Sequence, residues 1–338
     1  MAETKRTNDR IDVDSPRWQQ DTFLGRLKYF ASISDFRTAF VSDKQLSDAK
    51  ELLEKYKSGR EPVGTTDDQV YHAQKLYRSA IHPDTGDLQN VIGRMSFQVP
   101  GGMIITVAML HFYRTNTGVI VTQWLNQSFN VLVNYTNRNA GSSLSYKQIA
   151  LAYTSATASA LVTALGLKSY LASRASPLFQ RFVPFLAVSA ANIVNIPLTR
   201  QDELLNGVTL VDENNNPITK SRYAAAKGIS QVVSSRTFMA APGMLILPII
   251  MEKLEKQRWF RINRWFHLPF QAVMIGTFLS LTVPVGCALF PQKSSITMSR
   301  LNKVEPDRYE EVIKHYGESK IPRAALLQQR TMMSAAHK

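Results

Sequence analysis

The chain of 338 residues has one cysteine, Cys287, which excludes an intrachain disulfide, a cysteine-based zinc site and a CxxC redox pair. Acidic residues are scarce as well. None occurs between Asp87 and Asp202 or between Glu213 and Glu252, while the lysines and arginines of those stretches stand singly between apolar runs. No Walker loop, GxSxG elbow, HExxH pair or GxGxxG turn is present, and no paired carboxylates or Ser/His set mark a reaction centre. The chain therefore reads as a non-enzyme with no cofactor and no metal site; His72, His111, His267, His315 and His337 form no cluster.

What is abundant is positive charge. Forty Lys and Arg against 26 Asp and Glu give +14, a surplus suited to nucleic acid or to an anionic membrane. Residues 1–94 hold 15 basic and 15 acidic side chains, so the whole excess lies in residues 95–338, with 25 against 11. There the basic residues are interrupted by apolar runs of bilayer length, which argues for a membrane and against nucleic acid. The mean hydropathy of −0.15 averages a polar third with an apolar two-thirds and conceals that segregation.

Residues 1–94 read as a soluble helical region. Two capping boxes, Ser42 with Gln45 and Thr66 with Gln69, open amphipathic stretches. Leu46, Ala49, Leu52, Leu53 and Tyr56 share one face of the first, and Val70, Ala73, Tyr77 and Ala80 one face of the second. Residues 59–64 form the turn between them. The region closes on His82, Pro83, Asp84, Thr85 and Gly86, whose composition predicts a capped turn; two ligands without a third make a metal reading weak. Glu3, Asp9, Asp12, Asp14 and Asp21, with no apolar core segment, exclude a signal peptide or presequence, so any organellar targeting is expected to be internal.

Residues 95–292 read as a transmembrane bundle. A span needs about 20 mainly apolar residues, and five candidates lie near 95–113, 148–167, 182–199, 230–251 and 267–290. The fold class is all-α, a polytopic membrane helical bundle, followed by a soluble C-terminal tail at 293–338. Ala152, Ala156, Ala160 and Ala164 recur every fourth residue, which lets a neighbouring backbone approach closely. Residues 115–137 carry Gln123, Asn126, Gln127, Asn130, Asn134 and Asn137, too many amides to face lipid, and predict an interfacial or re-entrant helix with Trp124, Phe129 and Tyr135 at headgroup level. Five crossings place the termini on opposite sides; the near-even charge of the connecting segments leaves orientation open.

Pro-Gly occurs at 100–101 and 242–243, each time six residues after an arginine, Arg94 or Arg236. On a five-span count these two spans run in opposite directions, the relation of an inverted repeat with broken helices. The amides of Gly101, Gly102 and Gly243 would then face a substrate carboxylate, since helix N-termini favour anions. Arg236 reads first as an interfacial anchor and second as a substrate-binding arginine. Asn192 and Asn195 share a helix face in the third span and, with Asn130 and Asn134, would either bond between helices or line a polar cavity.

The blocks HPDTG at 82–86, RMSFQVPGGMIIT from Arg94, QWLNQSFNVLVNYTNRNA at 123–140, AANIVNIPLTRQDEL at 190–204, MAAPGM at 239–244 and ALFPQKSS at 288–295, in this order, resemble the sideroflexins. Two features depart from that pattern: Asp87 stands where the family has Glu, and LLQQRTMMSAAHK replaces its aromatic ending. The resemblance implies a multi-pass protein of the mitochondrial inner membrane with its N-terminus in the matrix. It also implies transport of serine and related small neutral amino acids for one-carbon metabolism, with links to iron and haem homeostasis. The partners expected are the amino acid, the lipid bilayer and proteins docking on residues 42–81 or the C-terminal tail, with no nucleic acid. A non-transporting scaffold or assembly factor is the alternative.

Overall fold

A computed structural model describes residues 10–82, 85–137, 146–174, 176–212, 216–291, 293–316 and 324–328. Helices α1 (Phe23–Ile33), α2 (Asp43–Lys57) and α3 (Asp67–Ala80) form the N-terminal region. Both capping boxes are made, with Ser42 and Thr66 accepting from the Gln45 and Gln69 amides while the glutamine side chains return to the cap backbone. The apolar faces of α2 and α3 pack on each other around Leu46, Leu53, Val70 and Ala73, closed by Ile11 and Val13.

Five helices are long and apolar enough to cross a membrane, Met95–Phe112, Tyr146–Leu171, Pro177–Thr199, Arg222–Glu255 and Arg264–Ala288. They contain α4 (Gln98–Phe112), α6 (Tyr146–Leu171), α7 (Pro177–Gln180) with α8 (Val183–Thr199), α10 (Arg222–Ala241) with α11 (Leu247–Glu255), and α13 (His267–Ala288). The alanine stripe of α6 is fully buried and faces α8, which packs against it more extensively than any other helix pair described. Small side chains on both partners, Ala187 and Ala191 on α8, allow that approach.

Residues 116–136 depart from the expectation of an interfacial or re-entrant segment. They form one unbroken helix, α5 (Asn116–Thr136), which turns back at Tyr113–Thr115 and retraces the whole of α4. Beyond its C-terminus, Asn137 donates to the Gly93 carbonyl at 3.0 Å and accepts from Gln89 at 2.9 Å, level with the start of α4. Twenty-one residues rise about 31 Å, enough to traverse a hydrocarbon core of about 30 Å. The amides do not face outward. Gln123, Asn126, Gln127 and Asn134 are buried, whereas Ile120, Val121, Trp124, Leu125, Leu132 and Tyr135 form the exposed face. Hydropathy averaged around the helix registers the amides, whereas the exposed stripe is apolar and aromatic. Phe129 packs inward on Phe97, with ring centroids 6.5 Å apart, instead of at headgroup level.

Six helical segments thus run the length of the bundle, alternating in direction. We call the end against the N-terminal region proximal. There Met95 and Ala288 pack with Tyr29, Phe30 and Ile33 of α1, and Arg26 donates to the Ala288 carbonyl at 3.0 Å. At the distal end Lys168, late in α6, donates to the Arg114 carbonyl at 2.6 Å, and Arg181, just before α8, pairs with Glu255 of α11 at 2.6 Å. Short α12 (Arg258–Ile262) leads there into α13, whose His267 bonds the Phe260 carbonyl at 2.8 Å.

The described residues after α13, 293–316 and 324–328, are folded together with a preceding hairpin. After α9 (Gln201–Asn206), strands β1 (Val208–Val211) and β2 (Pro217–Ser221) form a hairpin; β3 (Lys293–Thr297), α14 (Met298–Val304), α15 (Pro306–Tyr316) and β4 (Ala324–Gln328) join it. The antiparallel sheet has the order β2-β1-β4-β3. Leu210, Ile296, Leu301 and Val312 fill its core, and Glu305 accepts from the Ser221 hydroxyl at the start of α10. This unit follows α8 and α13, both of which end proximally. N- and C-terminal regions therefore gather at one end of the bundle, where a five-crossing count separates them.

Candidate functional site

The Pro-Gly segments do not interrupt their helices. Pro100 lies in the first turn of α4, where a missing N–H leaves no gap, and the helix continues through Gly101 and Gly102. Gly101 serves packing: a Cβ there would sit 2.7 Å from the Phe129 ring of α5, and one at Gly102 3.3 Å from Leu279. At Pro242 the chain forms a π-helical turn, Pro242–Ile246, which joins α10 to α11 without a break. The wider turn accommodates the ring and the absent donor. Gly243 is buried in that turn, yet a Cβ at this position would meet nothing within 4 Å. The expected pair of exposed helix N-termini is absent at these positions.

Nor is the Arg94/Arg236 pattern an inverted repeat. Along α13, Ala288 meets Met95, Leu279 lies over Gly102 and Met103 over Gly276, so α4 runs antiparallel to α13. Ser235 donates to the Gly286 carbonyl, and Thr282 to the Met239 carbonyl at 3.0 Å, so α10 does too. The two Pro-Gly helices are consequently parallel, because α5 adds a traverse between them.

Arg94 and Arg236 also differ in role. Arg94 ties the N-terminal region to α4, bonding Asp43 at 2.9 Å and the carbonyls of Gln89 and Val41 at 3.2 and 3.3 Å. Arg236 donates to Asn134 of α5 at 3.0 Å, near the proximal ends of α5 and α13, where the neighbouring Ser235 bonds Gly286. Asn192 and Asn195 are buried on α8. Asn130 is half-buried on the inner side of α5.

Sequence reasoning placed Asn130 and Asn134 at the site but left Gln123, Asn126 and Gln127 to an interfacial or re-entrant segment; the structure puts all five on the inner side of α5. Gln123 Oε1, Asn126 Nδ2, Gln127 Nε2 and Asn134 Nδ2 are buried without hydrogen-bond partners, as is Asn195 Oδ1 on α8. A buried polar atom left unpaired costs about 1–3 kcal/mol; the bundle also leaves Ser96 Oγ, Gln98 Nε2, Ser189 Oγ and Gln271 Oε1 unpaired, and the four on α5 form the densest row among them. From Gln123 to Asn134 the row extends about 16 Å along α5. The signal for it was present in the spacing 123, 126, 127, 130, 134, which is one helix face.

The row ends distally in a cavity of about 290 Å³ between α4, α5, α6 and α8, lined by Tyr113, Arg114, Thr122, Gln123, Lys168 and Gln180 among others.

The segment around His82 is a closed turn. His82 N–H donates to Asp87 and the Gly86 N–H to the His82 carbonyl, both at 2.8 Å, with Gly86 at φ +70°. Lys50 of α2 caps the Gly86 carbonyl at 3.1 Å, and His82 Nδ1 accepts from the Thr85 amide at 3.3 Å. Pro83 and Asp84 lie outside the described residues. No group of three or more His, Cys, Asp or Glu is placed to hold a metal among the described residues.

The family model for sideroflexins matches residues 12–321. Sideroflexin-2 of Homo sapiens is 54% identical over 308 residues, covering 91% of this chain and 94% of that protein. Sideroflexin-2 of Drosophila melanogaster is 52% identical over 313 residues, covering 93% and 95%. Sideroflexin-1 of Mus musculus is 47% identical over 291 residues, covering 86% and 90%. No solved structure matches the chain.

Proposed function

The chain belongs to the sideroflexin family, and from that premise we propose that it is a mitochondrial inner-membrane transporter of serine and other small neutral amino acids. In this reading it supports one-carbon metabolism and is tied through it to iron and haem homeostasis. The observation that carries it is the row of unpartnered buried amides on α5, with Asn195 on α8. Carboxamides both donate and accept, so they suit a zwitterion bearing a hydroxyl. Arg236, which donates to Asn134 at 3.0 Å, sets one positive charge against this row, where it can meet a carboxylate.

The test is uptake of labelled L-serine by proteoliposomes holding the purified chain, competed with alanine, glycine, cysteine and citrate. Saturable uptake blocked by the small amino acids and not by citrate is the expected result. Asn192→Ala/Asn195→Ala should lower it severalfold, and full uptake by that double variant would remove these two residues from the site. A correctly inserted chain that takes up no serine but co-purifies with a respiratory or haem-synthesis complex would instead support an assembly factor.

A further inference from the structure

We infer that the distal cavity is a recognition vestibule for a small carboxylate-bearing zwitterion, with Lys168 and Arg114 holding the carboxylate and Gln123 Oε1 accepting from the ammonium. The inference rests on the transporter reading and places its substrate's first contact at the bundle end remote from the N-terminal region.

Three independent observations converge there. The volume, about 290 Å³, lies at the lower limit of small-molecule sites, which run from about 300 to 1,000 Å³, and so suits a ligand of a few heavy atoms. Its charge is one-sided: Arg114 and Lys168 line it and no Asp or Glu does. The nearby Arg181 is already neutralised by Glu255. Lys168 donates to the Arg114 carbonyl at 2.6 Å and to Asn116 Oδ1 at 2.8 Å, which fixes the ammonium and leaves its third N–H for a ligand. Arg114 stacks over the Tyr113 ring at 5.8 Å, with its Nε towards the phenol oxygen at 3.4 Å, which leaves both terminal nitrogens of its fork. Finally, Gln123 lines the same cavity at 2% exposure with its Oε1 unpartnered.

An acceptor so buried in a cavity that two cations also line is complementary to a ligand carrying both charges. The Thr122 hydroxyl, which donates to the Gly118 carbonyl at 2.8 Å, has its lone pairs left to accept as well. Val119, Ala164, Val183 and Pro184 supply the apolar remainder, so the ligand's third substituent must be small and uncharged. Gln123 is also the first amide of the buried row on α5, and a solute bound here is already at the head of that row.

The experiment measures L-serine uptake and, separately, the rise in melting temperature on adding L-serine to the purified full chain in nanodiscs. Gln123→Leu and Lys168→Met are compared with wild type, with ethanolamine (no carboxylate) and lactate (no ammonium) as competitors. Losing one hydrogen bond to a charged group should raise KM about tenfold in either variant, with neither competitor effective against wild type. If wild type transports serine and both variants keep its KM within twofold, the vestibule is wrong and the transporter reading stands. If nothing is transported yet L-serine stabilises wild type and not Gln123→Leu, the site stands and the transporter reading falls. Absence of both uptake and stabilisation overturns both.

Discussion

Arg236 and Asn134, 102 residues apart in sequence, are joined by a hydrogen bond of 3.0 Å that links α10 to α5. It ties a charged side chain to the amide row of α5 and sets the orientation of the Asn134 carboxamide, whose oxygen accepts while its nitrogen stays unpaired. A double-mutant cycle with Arg236→Gln and Asn134→Leu should yield a coupling on the order of 1.5–3 kcal/mol, the range for bonds to charged groups. Thermal unfolding in nanodiscs reads it, and additive effects of the two changes would show the contact to be without weight.

The Gly101 and Gly243 substitutions should separate packing from the broken-helix idea. Gly101→Ala pushes a methyl against Phe129 and is expected to destabilise by about 1–3 kcal/mol, with partial recovery in Gly101→Ala/Phe129→Leu. Gly243→Ala meets open space in a helical segment and should be neutral or stabilise by up to about 1 kcal/mol. Equal losses from the two would contradict the geometry.

The Arg94–Asp43 pair is lopsided, with Arg94 3% exposed and Asp43 75% exposed. Arg94→Met also strands the carbonyls of Gln89 and Val41, so it should cost about 3–5 kcal/mol, against about 0–1 kcal/mol for Asp43→Asn. Comparable melting temperatures for the two variants would show the pair to be a simple surface bridge.

Burial pushes the Asp35 carboxyl up, but hydrogen bonds from Arg37 and Lys75 outweigh it and hold the group well below the usual carboxylate range. A depressed folded-state value stabilises above the unfolded value of about 3.9 and loses that contribution as pH falls below it. The melting-temperature gap between wild type and Asp35→Asn should stay constant from about pH 5 to 7 and close below about pH 4. A gap that widens on acidification would reverse the assignment.

Topology is directly measurable. In a Cys287→Ser background, single cysteines at Lys57, Arg308 and Arg258 are treated with an impermeant maleimide in sealed vesicles. Six traverses place positions 57 and 308 on one side and 258 on the other. Labelling of 57 and 258 from the same side would show that α5 does not cross.

Much of this architecture is legible in the residues alone. Both capping boxes, the alanine seam of α6 and the five apolar helices follow from local spacing and composition, which physics reads within a few residues. The direction of Arg236, the packing role of Gly101 and the partnership of β1 with β4 depend on which helices and strands meet, and no local pattern encodes that. α5 falls between: its amide face is visible in the spacing, but the assumption that water or headgroups must receive those amides hides the alternative that protein does. The C-terminal strands escape notice because neither the hairpin at 208–221 nor residues 293–328 form a core alone.

The reversed amphipathicity of α5 bears on how the protein is made. A helix whose amides point inward has nothing to offer a lipid bilayer on that side until its neighbours are present, so by itself it would be rejected at the insertion step. The tight turn at Tyr113–Thr115 delivers it together with the apolar α4, and Phe129 already fits against Gly101 within that hairpin. Membrane entry of the pair as one unit, with α4 as escort, follows from the shape of a single turn.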